Sequence, residues 1–169
     1  MKKVSLLLSG ALLAMAFQAN VALADDTKLE SAVNEVVGTP YLWGGTTTEG
    51  FDCSGFLSYI FKQFSTQLPR TSKLQAEAGD KVAKADLRPG DLVFFNTDGK
   101  GISHAGVYIG DGRFAHSSSS YGVRISGLDE EYYKTRYVTA RRIVYGQNYL
   151  SMEEKLSHES ETTVLTESN

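Results

Sequence analysis

The spacing of apolar residues along this 169-residue chain changes twice. Between Asp25 and Val37, the residues Leu29, Val33 and Val36-Val37 recur at helical intervals and predict a first helix with one apolar stripe. Gly38-Thr39-Pro40 ends it, because proline disfavours helix in the residue before it. A glycine-rich loop, WGGTTTEG, follows. Apolar residues then return at Phe56, Leu57, Ile60, Phe61 and Phe64, the pattern of an amphipathic helix with a wide buried face. Asp52 stands where an N-cap belongs, so this helix begins at Cys53. Gln67-Leu68-Pro69-Arg70 closes it, and Thr71 to Gly79 predicts a shorter helix.

From Leu87 onward the period becomes that of strands. Five β-rich runs, DLVFFNT, ISHAGVYIG, RFAHSSS, VRISGL and YVTARRIVY, are separated by turn signals at Arg88-Pro89-Gly90, Asp98 to Gly101 and Gly110-Asp111-Gly112. A short helical piece near Glu130 to Lys134 interrupts the last two. Helices first and antiparallel strands afterwards predict an α+β fold. No internal repeat is visible.

The ends of the chain read differently from its middle. Lys2 and Lys3 precede an apolar run from Val4 to Phe17, and Ala22-Leu23-Ala24 has the small-x-small form of a cleavage site. Residues 1–24 are therefore expected to be a cleaved signal peptide, and no cysteine near the junction offers a lipid anchor. The mature chain is expected to be exported and soluble, periplasmic or secreted, with one domain over 25–150. Ser151 to Asn169 carries five Glu, one Lys and no aromatic residue, and is expected to be a disordered acidic tail. The formal charge of −3 becomes more negative once Lys2 and Lys3 are lost, which gives no electrostatic case for nucleic acid or an anionic membrane. A monomer is expected.

Cys53 is the only cysteine, so no intramolecular disulfide is possible and the thiol needs another explanation. In the first turn of a helix it faces unpaired N–H groups and the positive end of the dipole, which favour a thiolate. Gly50 and Gly55 are expected to keep the approach to its sulfur narrow and unobstructed. Of three histidines, His158 lies in the tail and reads as solvated, whereas His104 and His116 lie on consecutive strands. A two-residue Asp111-Gly112 loop would point those two to opposite faces. A three-residue loop pairing Ile109 with Arg113 makes Gly106 face His116 and His104 its diagonal neighbour, and that register is expected here. It puts Tyr108, Phe114, His104 and His116 on one face, and Val107, Ile109 and Ala115 on the other.

A thiol at a helix start with two adjacent imidazoles suggests a nucleophile, a base and an orienting group. Cys53 would attack a carbonyl, His104 would shuttle the proton, and His116 would fix the ring of His104. The Cys53 backbone N–H and the Tyr41 hydroxyl would face the oxyanion. Two other readings use the same atoms. Cys53, His104 and His116 could bind zinc, although they follow no short zinc spacing. Alternatively both histidines are satisfied sheet residues in a catalytically silent binding or scaffold module.

The segments TPYLWGG (39–45), FDCSGF (51–56), LPRTS (68–72), LRPGDLVFF (87–95), ISHAGVYIGDGRFAHSSSSYGV (102–123) and ARRIV (140–144) resemble, in order, the NlpC-type cell-wall cysteine peptidases. The resemblance covers nearly all of Gly38 to Val144. It implies a papain-like α+β fold, a Cys-bearing helix packed on a small antiparallel sheet. Cys53 matches the nucleophile, His104 the base, His116 the third polar residue and Tyr41 a tyrosine beside the nucleophile. Asp52 and Ser54 match residues flanking the cleft that contact the amine end of a stem peptide. The implied activity is hydrolysis of amide bonds in peptidoglycan stem peptides, without metal or other cofactor. Similarity to small Gram-negative murein endopeptidases favours the D-alanine–diaminopimelate crosslink over the D-glutamate–diaminopimelate bond. A regulatory protein partner is left unknown.

Overall fold

The structure is a computed structural model that describes residues 26–156. The expected signal peptide, His158 and the end of the tail lie outside the described residues.

Helix α1 spans Lys28–Asn34 and opens with a reciprocal cap. The Thr27 hydroxyl accepts the Glu30 N–H at 3.2 Å, and the Glu30 carboxylate accepts the Thr27 N–H at 3.1 Å. That cap starts the helix later than the apolar spacing predicts. Val36 is buried as expected, but Val37 is 48% exposed and drops out of the stripe.

The glycine-rich loop contains a small hairpin of β1 (Thr46–Thr47) and β2 (Gly50–Phe51). It delivers the chain to helix α2, Cys53–Gln63, where the Asp52 carboxylate accepts the Gly55 N–H at 2.7 Å. Phe56, Leu57, Ile60 and Phe61 are fully buried, as their spacing predicts. Burying each such side chain contributes roughly 1.5–3 kcal/mol, so this face fixes the helix firmly. Helix α3 is a single turn, Ser72–Gln75, capped by Thr71 and much shorter than its predicted span.

Eight strands form in all among the described residues, six of them in one antiparallel sheet. Its members are β3 (Asp80–Val82), β4 (Leu92–Phe95), β5 (His104–Gly110), β6 (Arg113–Ser118), β7 (Gly122–Gly127) and β8 (Tyr137–Arg142). Their spatial order is β3-β8-β4-β5-β6-β7. Strand β3, an edge strand with two exposed residues, is too short and polar for its period to register in the sequence. The short helix α4 (Glu131–Lys134) precedes β8, which returns to pair with β4. Arg142 at the end of β8 holds Asp91 through two hydrogen bonds of 2.9 and 2.8 Å, and Asp91 is 1% exposed. This bidentate pair ties the turn before β4 to the returning strand.

One sheet face, with Phe94, Ala105, Val107 and Ala115, packs beneath α2, and α1 lies against α2 in the same core. The other carries Phe95, Phe114 and Ala140, covered by Tyr133 of α4. A final helix, α5 (Gly146–Glu153), crosses the expected domain boundary at residue 150. Met152 is fully buried, the Lys28 N–H donates to the Glu154 carbonyl at 2.9 Å, and the Leu156 N–H donates to that of Asp26 at 3.0 Å. Residues 151–156 are therefore part of the folded domain, not a disordered tail. Their polar composition concealed the one side chain, Met152, that anchors them.

Candidate active site

The β5–β6 hairpin decides where the two histidines point. Its loop is Asp111-Gly112, with φ of 52° and 70°, and Gly110 pairs with Arg113. Beyond the loop the register shifts at Ile109, so that Tyr108 faces Phe114 and Val107 faces Ala115. The expected three-residue loop is thus replaced by a two-residue turn plus a bulge. Past the bulge the pairing is the expected one, and the histidines share a face. A β-bulge adds one residue to one strand, which reverses the facing that a bare two-residue turn would impose.

On that face His104 Nε2 lies 2.9 Å from His116 Nδ1. His116 is fully buried, and its Nε2 lies 3.2 Å from the Ser126 hydroxyl and 3.4 Å from the Tyr133 hydroxyl. The His116 ring also stacks on Phe114 with centroids 4.8 Å apart. Burial lowers the pKa of His104 to about 4. Burial, then the neighbouring His104 and the Arg124 cation, lower that of His116 to about 2. Both rings are therefore neutral near pH 7. Since His104 Nε2 and His116 Nδ1 face each other, the two rings do not converge on a metal, and among the described residues no group of three His, Cys, Asp or Glu could hold one.

Cys53 lines a cleft of about 780 Å³ together with His104, Tyr41, Tyr133 and Arg124. Helix α2 carries the thiol to this point, where the N–H groups of Ala105, Ser54 and Cys53 are directed at the sulfur. Burial raises the thiol pKa, the Asp52 charge adds to this, and the three N–H groups only partly offset it. The resting thiolate expected from the helix start is thus overridden by desolvation. Tyr41, bridged to Phe51, has its hydroxyl pKa raised by burial, by Cys53 and by Asp52, and so remains a hydrogen-bond donor.

Asp52 and Ser54 do not line the cleft. The Arg70 guanidinium donates to both Asp52 carboxylate oxygens, at 3.0 and 2.6 Å, and to the Ser54 hydroxyl at 3.0 Å. The Gly44 and Gly55 N–H groups and the Ser54 hydroxyl take the remaining acceptor positions of Asp52. Their polar atoms are spent on the mount of α2. Gly55 has a similar role, since a Cβ there would overlap the Gly45 carbonyl oxygen, and one at Gly50 would press on Leu42. These glycines close the loop onto the helix; neither gates the sulfur.

Sequence reasoning missed Ser126, Tyr133, Arg70 and Arg124. The β6–β7 register could have found two of them, since Arg124 pairs directly with His116 and Ser126 with Phe114 on the same face. Tyr133 and Arg70 arrive from elements whose placement no local pattern encodes.

A thiol at a helix start, in one cleft with a neutral imidazole that a second imidazole contacts, is an arrangement suited to nucleophilic acyl transfer. Residues 38–142 match the NlpC/P60 family, and the chain belongs to it. It is 46% identical over 124 residues to the "Probable endopeptidase NlpC homolog" of Haemophilus influenzae, spanning 73% of this chain and 66% of that protein. It is also 46% identical over 108 residues to the "Murein DD-endopeptidase MepS/Murein LD-carboxypeptidase" of Escherichia coli K12, spanning 63% of this chain and 57% of that one. Among solved structures, an NlpC/P60 family protein from Bacillus cereus superposes with a TM-score of 0.66 at 40% identity, covering 70% of this chain and 40% of its own. Among the described residues no helix is long and apolar enough to cross a membrane.

Proposed function

We propose that this protein is an exported peptidoglycan endopeptidase that hydrolyses amide bonds in murein stem peptides by thiol catalysis. The observation that carries the reading is that His104, which lines the cleft with Cys53, is backed by the buried His116 at 2.9 Å. This contact commits Nε2 of His104 to its neighbour and leaves Nδ1 as the only ring nitrogen available to a thiol.

Cys53 gives its proton to His104 Nδ1 as the sulfur attacks the scissile carbonyl. The oxyanion is met by the Cys53 N–H and the Tyr41 hydroxyl. His104 then protonates the leaving amine, and water, deprotonated by the same ring, releases the acyl group from sulfur. The ion pair forms during reaction and not before it, because burial opposes both charges in the resting site. The D-alanine–diaminopimelate crosslink is the favoured bond, in keeping with the relative whose name specifies a murein DD-endopeptidase. A signal peptide over residues 1–24 would place the enzyme in the compartment that holds this substrate.

The test is digestion of purified sacculi by the protein, followed by mass spectrometry of the released muropeptides. Soluble products carrying a new D-alanine carboxyl terminus are expected, and none from Cys53→Ala. Undiminished release by a folded Cys53→Ala protein overturns the mechanism. Sacculus binding without any product overturns the enzyme.

A further inference from the structure

Among the described residues, a single guanidinium, that of Arg124, lines the same cleft without a carboxylate partner. Arg124 stands on β7 directly across from His116, on the face that carries the imidazole pair. Directly paired residues hold their Cβ atoms about 5 Å apart, so Arg124 rises beside the ring that orients His104 and lines the cleft that also holds Cys53 and His104. It is half-buried, it lines the cleft, and its guanidinium carbon lies 5.4 Å from the ring centroid of Tyr121 at the rim. Among the described residues it makes no ion pair and no hydrogen bond.

Two acids line the cleft, and each accepts a backbone N–H without pairing with Arg124. Glu130 lines the cleft, but its Oε1 accepts the Gly127 N–H at 2.7 Å. Asp98 also lines it, and its Oδ1 accepts the Lys100 N–H at 2.8 Å. Desolvating a guanidinium is costly unless an anion meets it, and a planar fork is matched by a carboxylate. An uncompensated arginine beside a reaction centre is therefore suited to a charge that the substrate brings.

We propose that Arg124 is a specificity residue that receives a free carboxylate of the stem peptide next to the scissile amide, so that this enzyme discriminates against amidated murein. The inference rests on the murein-peptidase reading and deepens it. Both candidate bonds supply such a group. The crosslinking amine of diaminopimelate is borne on a carbon that carries a carboxylate, and a γ-linked D-glutamate keeps its α-carboxylate free. A carboxamide of the same shape has no charge to offer and presents two donors of its own, so it loses one acceptor and meets Arg124 with N–H against N–H.

The experiment uses three crosslinked peptide dimers: the free acid, the form amidated at diaminopimelate, and the form amidated at D-glutamate. Binding is measured by calorimetry on Cys53→Ala protein, with and without Arg124→Gln. The free acid is expected to bind about tenfold more tightly than one of the amides, the increment of one charge-assisted hydrogen bond. Whichever amidation costs the affinity identifies the carboxylate. Arg124→Gln is expected to bring the acid down to the level of that amide and leave the amide unchanged, while Arg124→Lys retains part of the preference. Equal affinity for acid and both amides in the Arg124 protein overturns the proposal without recourse to any variant. So does an equal weakening of all three dimers by Arg124→Gln, which would mark a structural role. Hydrolysis of the dimers by the Cys53 protein is scored separately. A retained acid preference with no hydrolysis overturns the peptidase reading and leaves the carboxylate site standing.

Discussion

His104 Nε2 and His116 Nδ1 share one hydrogen bond, and the far side of His116 accommodates the direction that proton transfer requires of it. If His104 is to take a proton at Nδ1, its Nε2 carries the hydrogen and donates it, so His116 Nδ1 accepts. His116 must then be protonated at Nε2, where the Ser126 and Tyr133 hydroxyls stand at 3.2 and 3.4 Å as acceptors. The same tautomers serve before and after proton transfer, so the second imidazole stays neutral throughout. The Arg124 cation beside it favours that neutrality.

This assignment separates the two histidines in a kinetic experiment. His116→Gln replaces the accepting nitrogen by an amide oxygen and can still donate toward Ser126. It is expected to lower kcat by about tenfold, roughly 1.4 kcal/mol of lost orientation, with KM little changed. His104→Ala removes the proton carrier and is expected to lower kcat by about 10²–10⁴-fold. Equal losses in the two variants would mean that His116 takes part in proton transfer itself.

The reactivity of Cys53 offers a second check. The thiol pKa is raised while that of His104 is lowered to about 4, so the resting pair is thiol and neutral imidazole over the range between those values. Alkylation by iodoacetamide is expected to accelerate continuously with pH through neutrality and beyond, because only the thiolate reacts. A rate already level from about pH 5 to pH 8 would reveal a preformed ion pair and contradict that order of charges.

How far the site was legible follows from which of its parts are local. The α2 helix, its Asp52 cap and its buried face were readable because a helical period and a cap are encoded within a dozen residues. The pairing of His104 with His116 was only half readable. Turn chemistry at Gly110-Asp111-Gly112 allowed two registers, and the bulge at Ile109 that resolves them leaves no mark on an apolar strand. The place of α5 was hidden because one buried methionine outweighs a polar composition. The charge state of Cys53 was misjudged for a related reason: a helix start can be seen in sequence, but desolvation by a tertiary wall cannot.

Gly55→Ala tests the join between the loop and the helix that carries the thiol. The added Cβ would overlap the Gly45 carbonyl oxygen, which itself accepts the Asp52 N–H at 3.1 Å. Backbone must move to relieve this, and small-to-large changes in packed sites typically cost about 1–3 kcal/mol. The expected outcome is a lower urea midpoint together with a fall in kcat, since the same strand of backbone positions Cys53. A variant of unchanged stability would show that the loop gives way freely.

Titration of the folded state separates the contributions of the histidines and of Asp52 by pH. His104 and His116 have folded pKa values below the ordinary value near 6.5, so the unfolded chain binds more protons than the folded one in that range. Their contribution is complete above pH 6.5 and is lost as pH falls from there toward 4, and for His116 further toward 2. Asp52 behaves in the same sense but lower down. Burial pushes its pKa up, yet the Arg70 hydrogen bonds and charge, the Gly55 N–H and Ser54 hold it below the usual carboxylate value. Its contribution is present above the ordinary Asp range and is lost only as pH falls through its lowered folded value. The urea midpoint of the wild-type protein is therefore expected to fall continuously from about pH 6.5, and more steeply below the ordinary Asp range. His116→Gln should flatten the decline between pH 6.5 and 4 and lessen the one below it, where the Asp52 share remains. Asp52→Asn, which retains an N-cap oxygen, should lessen only the decline below the ordinary Asp range. A wild-type midpoint that stays constant from pH 7 to pH 4.5 would be incompatible with two imidazoles buried in their neutral forms.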